Sequence, residues 1–160
     1  MDPRVTNPYA HAPAAVKALM AVEASLRAGA LEHGLLELVK LRASQINGCA
    51  YCIALHASAA RKAGESEMRI HLLNAWRESG LYSPRERAAL AWTEALTRLA
   101  EGGAPEADYG ALAAEFGEAE QVQLTLQIGM INLWNRLQVG LRGVHADDPA
   151  SGPGPSRDAA

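Results

Sequence analysis

The sequence predicts an all-α protein, and three observations predict it. Alanine is abundant while β-branched residues are sparse, a balance that favours helices over strands. Glycine and proline breaks divide the chain into segments of helical length. No segment reads as a convincing strand, and no tandem repeat is visible. The 160 residues suit one compact domain with a tail.

About six to seven helices are expected. Residues 1–12 carry two prolines and little pattern, and read as an extended N-terminal arm. A first helix runs from about Pro13, suited to a first turn, to Ala28, where Gly29 stops it. A second spans about Leu35 to Ile46 and is broken by Asn47-Gly48. A third begins near Cys49 and ends at Ala63, with Gly64 as its cap. A fourth covers roughly Glu67 to Glu78. Ser83-Pro84-Arg85-Glu86 is a capping-box pattern that opens a fifth helix to about Ala100. A short helix from about Pro105 to Glu115 precedes the longest one, about Glu118 to Leu141. The helical domain therefore spans 13–145. Residues 146–160, rich in Pro, Gly and small polar side chains, form a disordered tail by composition.

The last helix is apolar on most sides. Val122, Leu126, Met130, Leu133 and Leu137 make one stripe, and Leu124, Ile128, Ile131, Trp134 and Val139 spread over other angles. Two readings remain open: a central core helix, or a helix partly covered by a second subunit.

Composition excludes several functions. A net charge of −3 and a pI of about 5.9 argue against a nucleic-acid partner. The uncharged run Gln121 to Asn135 is too short and too polar to span a bilayer. The N-terminus has no apolar core of signal-peptide type, so a cytoplasmic location is expected.

The chemistry gathers around the two cysteines, Cys49 and Cys52. On a helical wheel Cys49, Cys52, His56, Ala59, Ala60 and Ala63 share one inward face, with Ile53 and Leu55 flanking it. Tyr51 points away from that face. Helix N-terminal N–H groups and the helix dipole favour a thiolate at either sulfur. His56 lies four residues after Cys52, the spacing at which helix side chains touch, so it is placed to take the Cys52 proton. The i,i+3 spacing lets the two sulfurs form a disulfide after modest adjustment. Together they supply a nucleophile, a base and a resolving thiol.

Glu37-x11-Cys49-x2-Cys52-x3-His56 resembles the core motif of alkylhydroperoxidase D-like proteins, within the carboxymuconolactone decarboxylase superfamily. The likeness is close from about Leu35 to Gly64, looser through SPRERAALAWTEALT and NLWNRL, and absent at both termini. It implies an all-helical subunit that forms a homo-oligomer, trimer or hexamer. It also implies thiol-dependent reduction of a hydroperoxide substrate, with a dithiol or protein electron donor. By the same resemblance Cys52 is the peroxidatic cysteine, Cys49 the resolving one, and Glu37 with His56 a proton relay. One position departs: well-characterised members carry histidine directly before the second cysteine, where this chain has Tyr51. The lactone-decarboxylase branch generally lacks the cysteine pair, so the pair argues against decarboxylation.

Simpler readings stand beside these. The cysteines can be inert core thiols, or they can bind zinc with His56, although structural zinc takes four ligands and no second CxxC exists. No metal and no cofactor is therefore expected. Glu37 can pair with Lys40 on a solvated face. His11, His33, His71 and His145 read as surface residues, and Trp76, Trp92 and Trp134 as core or interface aromatics. Asn132 and Asn135 need partners if buried, by capping other helices or by lining the thiol pocket. Two further functions compete with a peroxidase: a general thiol–disulfide oxidoreductase or redox sensor, and a non-enzymatic helical oligomer.

Overall fold

The computed structural model describes residues 2–145, which fold into eight α-helices and two 3-10 turns with no strand. The helices are α1 (Pro13–Arg27), α2 (His33–Ile46), α3 (Ala50–Lys62), α4 (Glu67–Leu72), α5 (Pro84–Thr97), α6 (Leu99–Gly102), α7 (Glu106–Glu115) and α8 (Glu118–Leu141). The fold class is as the sequence predicts. The expected fourth helix divides: after Leu72 the chain continues as a 3-10 turn, Leu73–Glu78, around the non-helical Ala75. The expected fifth stops at Thr97, and a single turn, α6, follows it. The arm is not simply extended. Pro8–His11 form a 3-10 turn, and Arg4 bonds through its backbone N–H and its guanidinium to the carbonyls of Leu141 and Gly140. Those contacts satisfy acceptors that the end of α8 leaves open. The expected disordered tail, 146–160, lies outside the described residues.

Helix α2 is the axis of the molecule. Every residue from Leu35 to Ser44 is buried, and α3, α5 and α8 pack around it. Leu35, Leu36 and Val39 meet Ala88, Ala89, Trp92, Leu124 and Ile128 on one side. Leu38 and Leu41 meet Ala60, Leu73, Trp76 and Leu90 on the other. Helix α8 lies against α2 through Leu124, Ile128 and Ile131, together with the buried amides of Gln127, Asn132, Asn135 and Gln138. The stripe Val122, Leu126 and Leu133 faces outward. Gln123, between the two faces, donates to the Leu26 carbonyl and accepts from the Ala30 N–H, closing the end of α1. Gly29 leaves room for that amide, since a Cβ there would require the end of the Gln123 side chain to shift.

Candidate active site

The junction of α2 and α3 sets the site. Asn47 caps α2, and Gly48 follows at φ 64, a left-handed conformation that glycine adopts without a Cβ penalty. Gly48 N–H bonds back to the Gln45 carbonyl and Cys49 N–H to the Ser44 carbonyl, the double return of a Schellman motif. The chain thus leaves α2 and enters α3 in one turn, with Cys49 as the N-cap of α3. The Cys49 sulfur accepts the Cys52 N–H at 3.3 Å. Cys49 and Cys52 are joined by a disulfide across a Cα–Cα distance of 5.3 Å, and both are buried.

Asn132 and Asn135 hold this turn in place. Asn47 Nδ2 donates to Asn132 Oδ1 at 2.9 Å and to Asn135 Oδ1 at 2.8 Å. Asn132 donates onward to Thr97 Oγ1, and Asn135 to Ser44 Oγ. Of the two roles open to them, they take the first. They secure the capping residue of α2 instead of lining the cavity beside Cys52.

Glu37 and His56 meet across the α2–α3 interface, with Oε2 2.8 Å from Nδ1. The other Glu37 oxygen accepts from Lys40 Nζ at 3.3 Å. Burial pushes the Glu37 carboxyl up, but the hydrogen bond to His56 and the charge of Lys40 outweigh it, and the net effect is below the ordinary range. An ionised carboxylate only accepts, so Nδ1 of His56 is the donor. In the neutral imidazole that places the proton on Nδ1 and leaves Nε2 as the accepting nitrogen. The solvated Glu37–Lys40 pair is corrected: the pair exists, but it is buried and shared with His56.

Two residues of the network carry no spacing signal. Glu23, from α1, lies 3.9 Å from Lys40 Nζ and accepts from Trp134 Nε1 at 3.1 Å. Lys40 therefore stands between two carboxylates. A second buried charge cluster, Arg42 with Glu94 (2.7 Å), lies elsewhere on α2. Glu94 also accepts from Trp76 and Arg77, tying α5 to the 3-10 turn after α4. No cysteine adjoins that cluster, and its work is packing.

A cavity of about 370 Å³ opens beside Cys52 and His56. Its apolar wall includes Met20, Leu55, Ile131 and Trp134. Tyr51 also lines it, although the wheel turns that residue away. Tyr51 is only half-buried and reaches round the helix to the Tyr9 hydroxyl, which accepts from Gln138 Nε2. Burial, then the neighbouring Tyr51, raises the Tyr9 pKa above its ordinary value, so the Tyr9 hydroxyl faces the site protonated. Tyr51 and Gln138 also border a second cavity of about 350 Å³ on the Cys49 side. Among the tryptophans, Trp76 and Trp92 are core residues, whereas Trp134 belongs to the site. His11, His33 and His71 are exposed and His145 is half-buried. Among the described residues no group of three His, Cys, Asp or Glu side chains is arranged to hold a metal ion. No helix among them is long and apolar enough to cross a membrane.

The sequence model of the carboxymuconolactone decarboxylase family matches residues 11–95. The uncharacterised protein YdfG of Bacillus subtilis is 40% identical over 141 residues, which cover 88% of this chain and 95% of YdfG. A solved Agrobacterium tumefaciens protein of unknown function, provisionally named an AhpD antioxidant-defence protein, is 45% identical. It superposes with a TM-score of 0.87, covering 90% of this chain and 98% of that one. An uncharacterised peroxidase-related protein with an AhpD core, from Ralstonia eutropha, shares the fold at 23% identity, with a TM-score of 0.77 over 91% of this chain and 77% of that one. The family match spans more than half of the chain and the YdfG likeness nearly all of it: the chain belongs to the carboxymuconolactone decarboxylase family, as an AhpD-like member.

Proposed function

We propose that the protein is a thiol-dependent peroxidase in which Cys52 attacks the hydroperoxide and Cys49 resolves the product. The observation that carries this reading is the Glu37–His56 hydrogen bond beside the Cys49–Cys52 disulfide, with Cys52 and His56 opening on one cavity.

The oxidised site is the end of the cycle. A dithiol donor reduces the disulfide, leaving two cysteines and an oxidised donor. His56, oriented by Glu37, takes the Cys52 proton, and general-base help of this kind is worth about 10²–10⁴-fold. The thiolate attacks one peroxide oxygen, the O–O bond breaks, and the departing alkoxide takes the proton and leaves as alcohol. Cys52 is now a sulfenic acid. The Cys49 sulfur attacks it, water leaves, and the disulfide returns. Two thiols and one hydroperoxide become one disulfide, one alcohol and one water.

General thiol–disulfide exchange with folded proteins fits less well, because both sulfurs are almost fully covered: Cys49 is 1% exposed and Cys52 3%. A small peroxide and a slender dithiol fit that access better than a protein surface does. The active form in this reading is a homo-oligomer, since Val122, Leu126 and Leu133 present an uncovered apolar stripe.

Stopped-flow oxidation of the reduced protein tests the assignment. Cys52→Ser is expected to abolish reaction with hydroperoxide. Cys49→Ser is expected to react once, leaving a trappable sulfenic acid, and not to turn over. His56→Ala is expected to slow oxidation at neutral pH and to recover partly at alkaline pH, where the thiolate forms unaided. A reactive Cys52→Ser alongside an inert Cys49→Ser reverses the two roles. No peroxide reaction in the wild type overturns the peroxidase itself.

A further inference from the structure

The cavity beside Cys52 is much larger than hydrogen peroxide requires. At about 370 Å³ it is roughly ten times the volume one water occupies in the liquid. Its apolar surface includes two side chains that a soluble domain would otherwise bury, Met20 at 51% and Leu55 at 53% exposure. A small peroxide leaves that surface wet, whereas a hydrocarbon or aryl body covers it.

Charge narrows the class further. Apart from Cys52 and the two tyrosines, three ionisable side chains line the cavity: Glu23, Arg27 and His56. Glu23 is committed to Trp134 and Lys40, and His56 to Glu37. Arg27, in the last turn of α1, is exposed, and among the described residues no side-chain hydrogen bond or ion pair engages its guanidinium. Most other arginines of the helical domain hold a carboxylate or a carbonyl, among them Arg42, Arg61, Arg69, Arg77, Arg85 and Arg87. The cavity thus combines an apolar wall, a thiol floor and an uncompensated cation at its edge.

We propose that the preferred substrate is an amphipathic organic hydroperoxide bearing a carboxylate, with its apolar body against Met20, Leu55, Ile131 and Trp134 and its carboxylate on Arg27. This rests on the peroxidase reading. The chemistry is unchanged: the Cys52 thiolate takes the terminal peroxide oxygen, and the rest of the molecule leaves as an alcohol that keeps its carboxylate. Arg27 acts on binding and orientation through its planar, bidentate fit to a carboxylate.

The probes are cumene hydroperoxide and its para-carboxylate, with hydrogen peroxide alongside. Each is reacted with the reduced full-length protein in single-turnover stopped flow, and each rate is normalised to the same peroxide's rate with free cysteine. The carboxylate is expected to oxidise Cys52 about fivefold faster than the neutral parent, the upper end of what an ion pair at a wet rim supplies. The ratio is expected to fall towards one in Arg27→Gln, to fall below one in Arg27→Glu, and to shrink at high salt. Both cumene compounds are expected to outrun hydrogen peroxide after normalisation. A ratio of one in the wild type, or a ratio that survives Arg27→Gln, overturns the assignment of Arg27 while leaving the peroxidase standing. Absence of Cys52 oxidation by all three probes overturns both.

Discussion

Helix α2 carries Glu37, Lys40 and Arg42 and is buried throughout its central ten residues, whereas α8 carries an apolar stripe and leaves it in solvent. Hydropathy alone would exchange their places. What decides is partnership. Each charge on α2 meets an opposite one: Glu37 has Lys40, with His56 as a further hydrogen-bond donor, and Arg42 has Glu94. Desolvation of such groups is offset only by close pairing and full hydrogen bonding. On α8 the amides turn inward because they have work there. Asn132 and Asn135 hold Asn47, and Gln138 holds Tyr9. Their inward face leaves Val122, Leu126 and Leu133 on the opposite side, exposed among the described residues. Of the buried α2 charges, Glu37 pairs with the His56 of the candidate site and Arg42 ties α2 to α5, whereas the exposed apolar stripe of α8 is, in the proposed reading, a surface for assembly.

The largest effect should come from unpairing the α2 charges. Lys40→Met leaves Glu37 and Glu23 facing one another without the cation between them. We expect a loss of about 3 kcal/mol, the lower end for orphaning a buried charge, because the neighbouring cavity admits water. Urea unfolding at neutral pH reads it directly. A change below about 0.5 kcal/mol would place Lys40 among ordinary surface residues and dissolve the contrast with α8. On α8 the expectation is opposite in kind. Leu126→Glu should leave the stability of the isolated fold within about 0.5 kcal/mol. Within an interface, however, it replaces an apolar side chain whose burial is worth about 1.5–3 kcal/mol with a charge, and the oligomer should dissociate. Sedimentation of wild type and variant at micromolar concentration separates the cases. A monomeric wild type removes the assembly role from the stripe.

The sequence was informative where structure is local. Gly29, Asn47-Gly48, Gly64 and Ser83-Pro84 mark real ends because caps and left-handed turns are properties of a few adjacent residues. Cys49, Cys52 and His56 share a helix, so their spacing already places them together, and the family motif supplies Glu37. The remainder depends on packing between elements. Glu23 comes from α1, Trp134 and Gln138 from α8, and Tyr9 from the arm, and no spacing connects them to the cysteines. Tyr51 shows the limit of a wheel, since a long side chain rounds the helix to meet Tyr9. The break inside residues 67–78 is likewise non-local: Trp76 turns inward to donate to Glu94 on α5, where the backbone leaves the α-helical path at Ala75.

The smallest effect, and the sharpest test of why α2 tolerates its charges, is the response of stability to acid. Glu37 is held as a carboxylate below its ordinary range by His56 and Lys40, against the opposing pull of burial. A carboxyl with a depressed folded pKa adds stability that is fully present above the unfolded value, about 4.3. That stability drains away as pH falls through the folded value, since the unfolded chain takes up the proton first. Glu37→Gln removes this titration while keeping size and one acceptor oxygen. The variant should therefore be less stable than wild type at pH 7, and the gap should narrow as pH falls below about 4. Part of the acid loss must survive in the variant, because Glu86 and Glu94 are also held low, by Arg69 and by Trp76 with Arg42, against their own burial. Urea midpoints at pH 7, 5, 4 and 3 for both proteins give the comparison. A gap that stays constant with pH means that Glu37 titrates normally in the folded protein. In that case the hydrogen bond to His56 does not select the ionised form, and the tautomer assigned to His56 loses its physical basis.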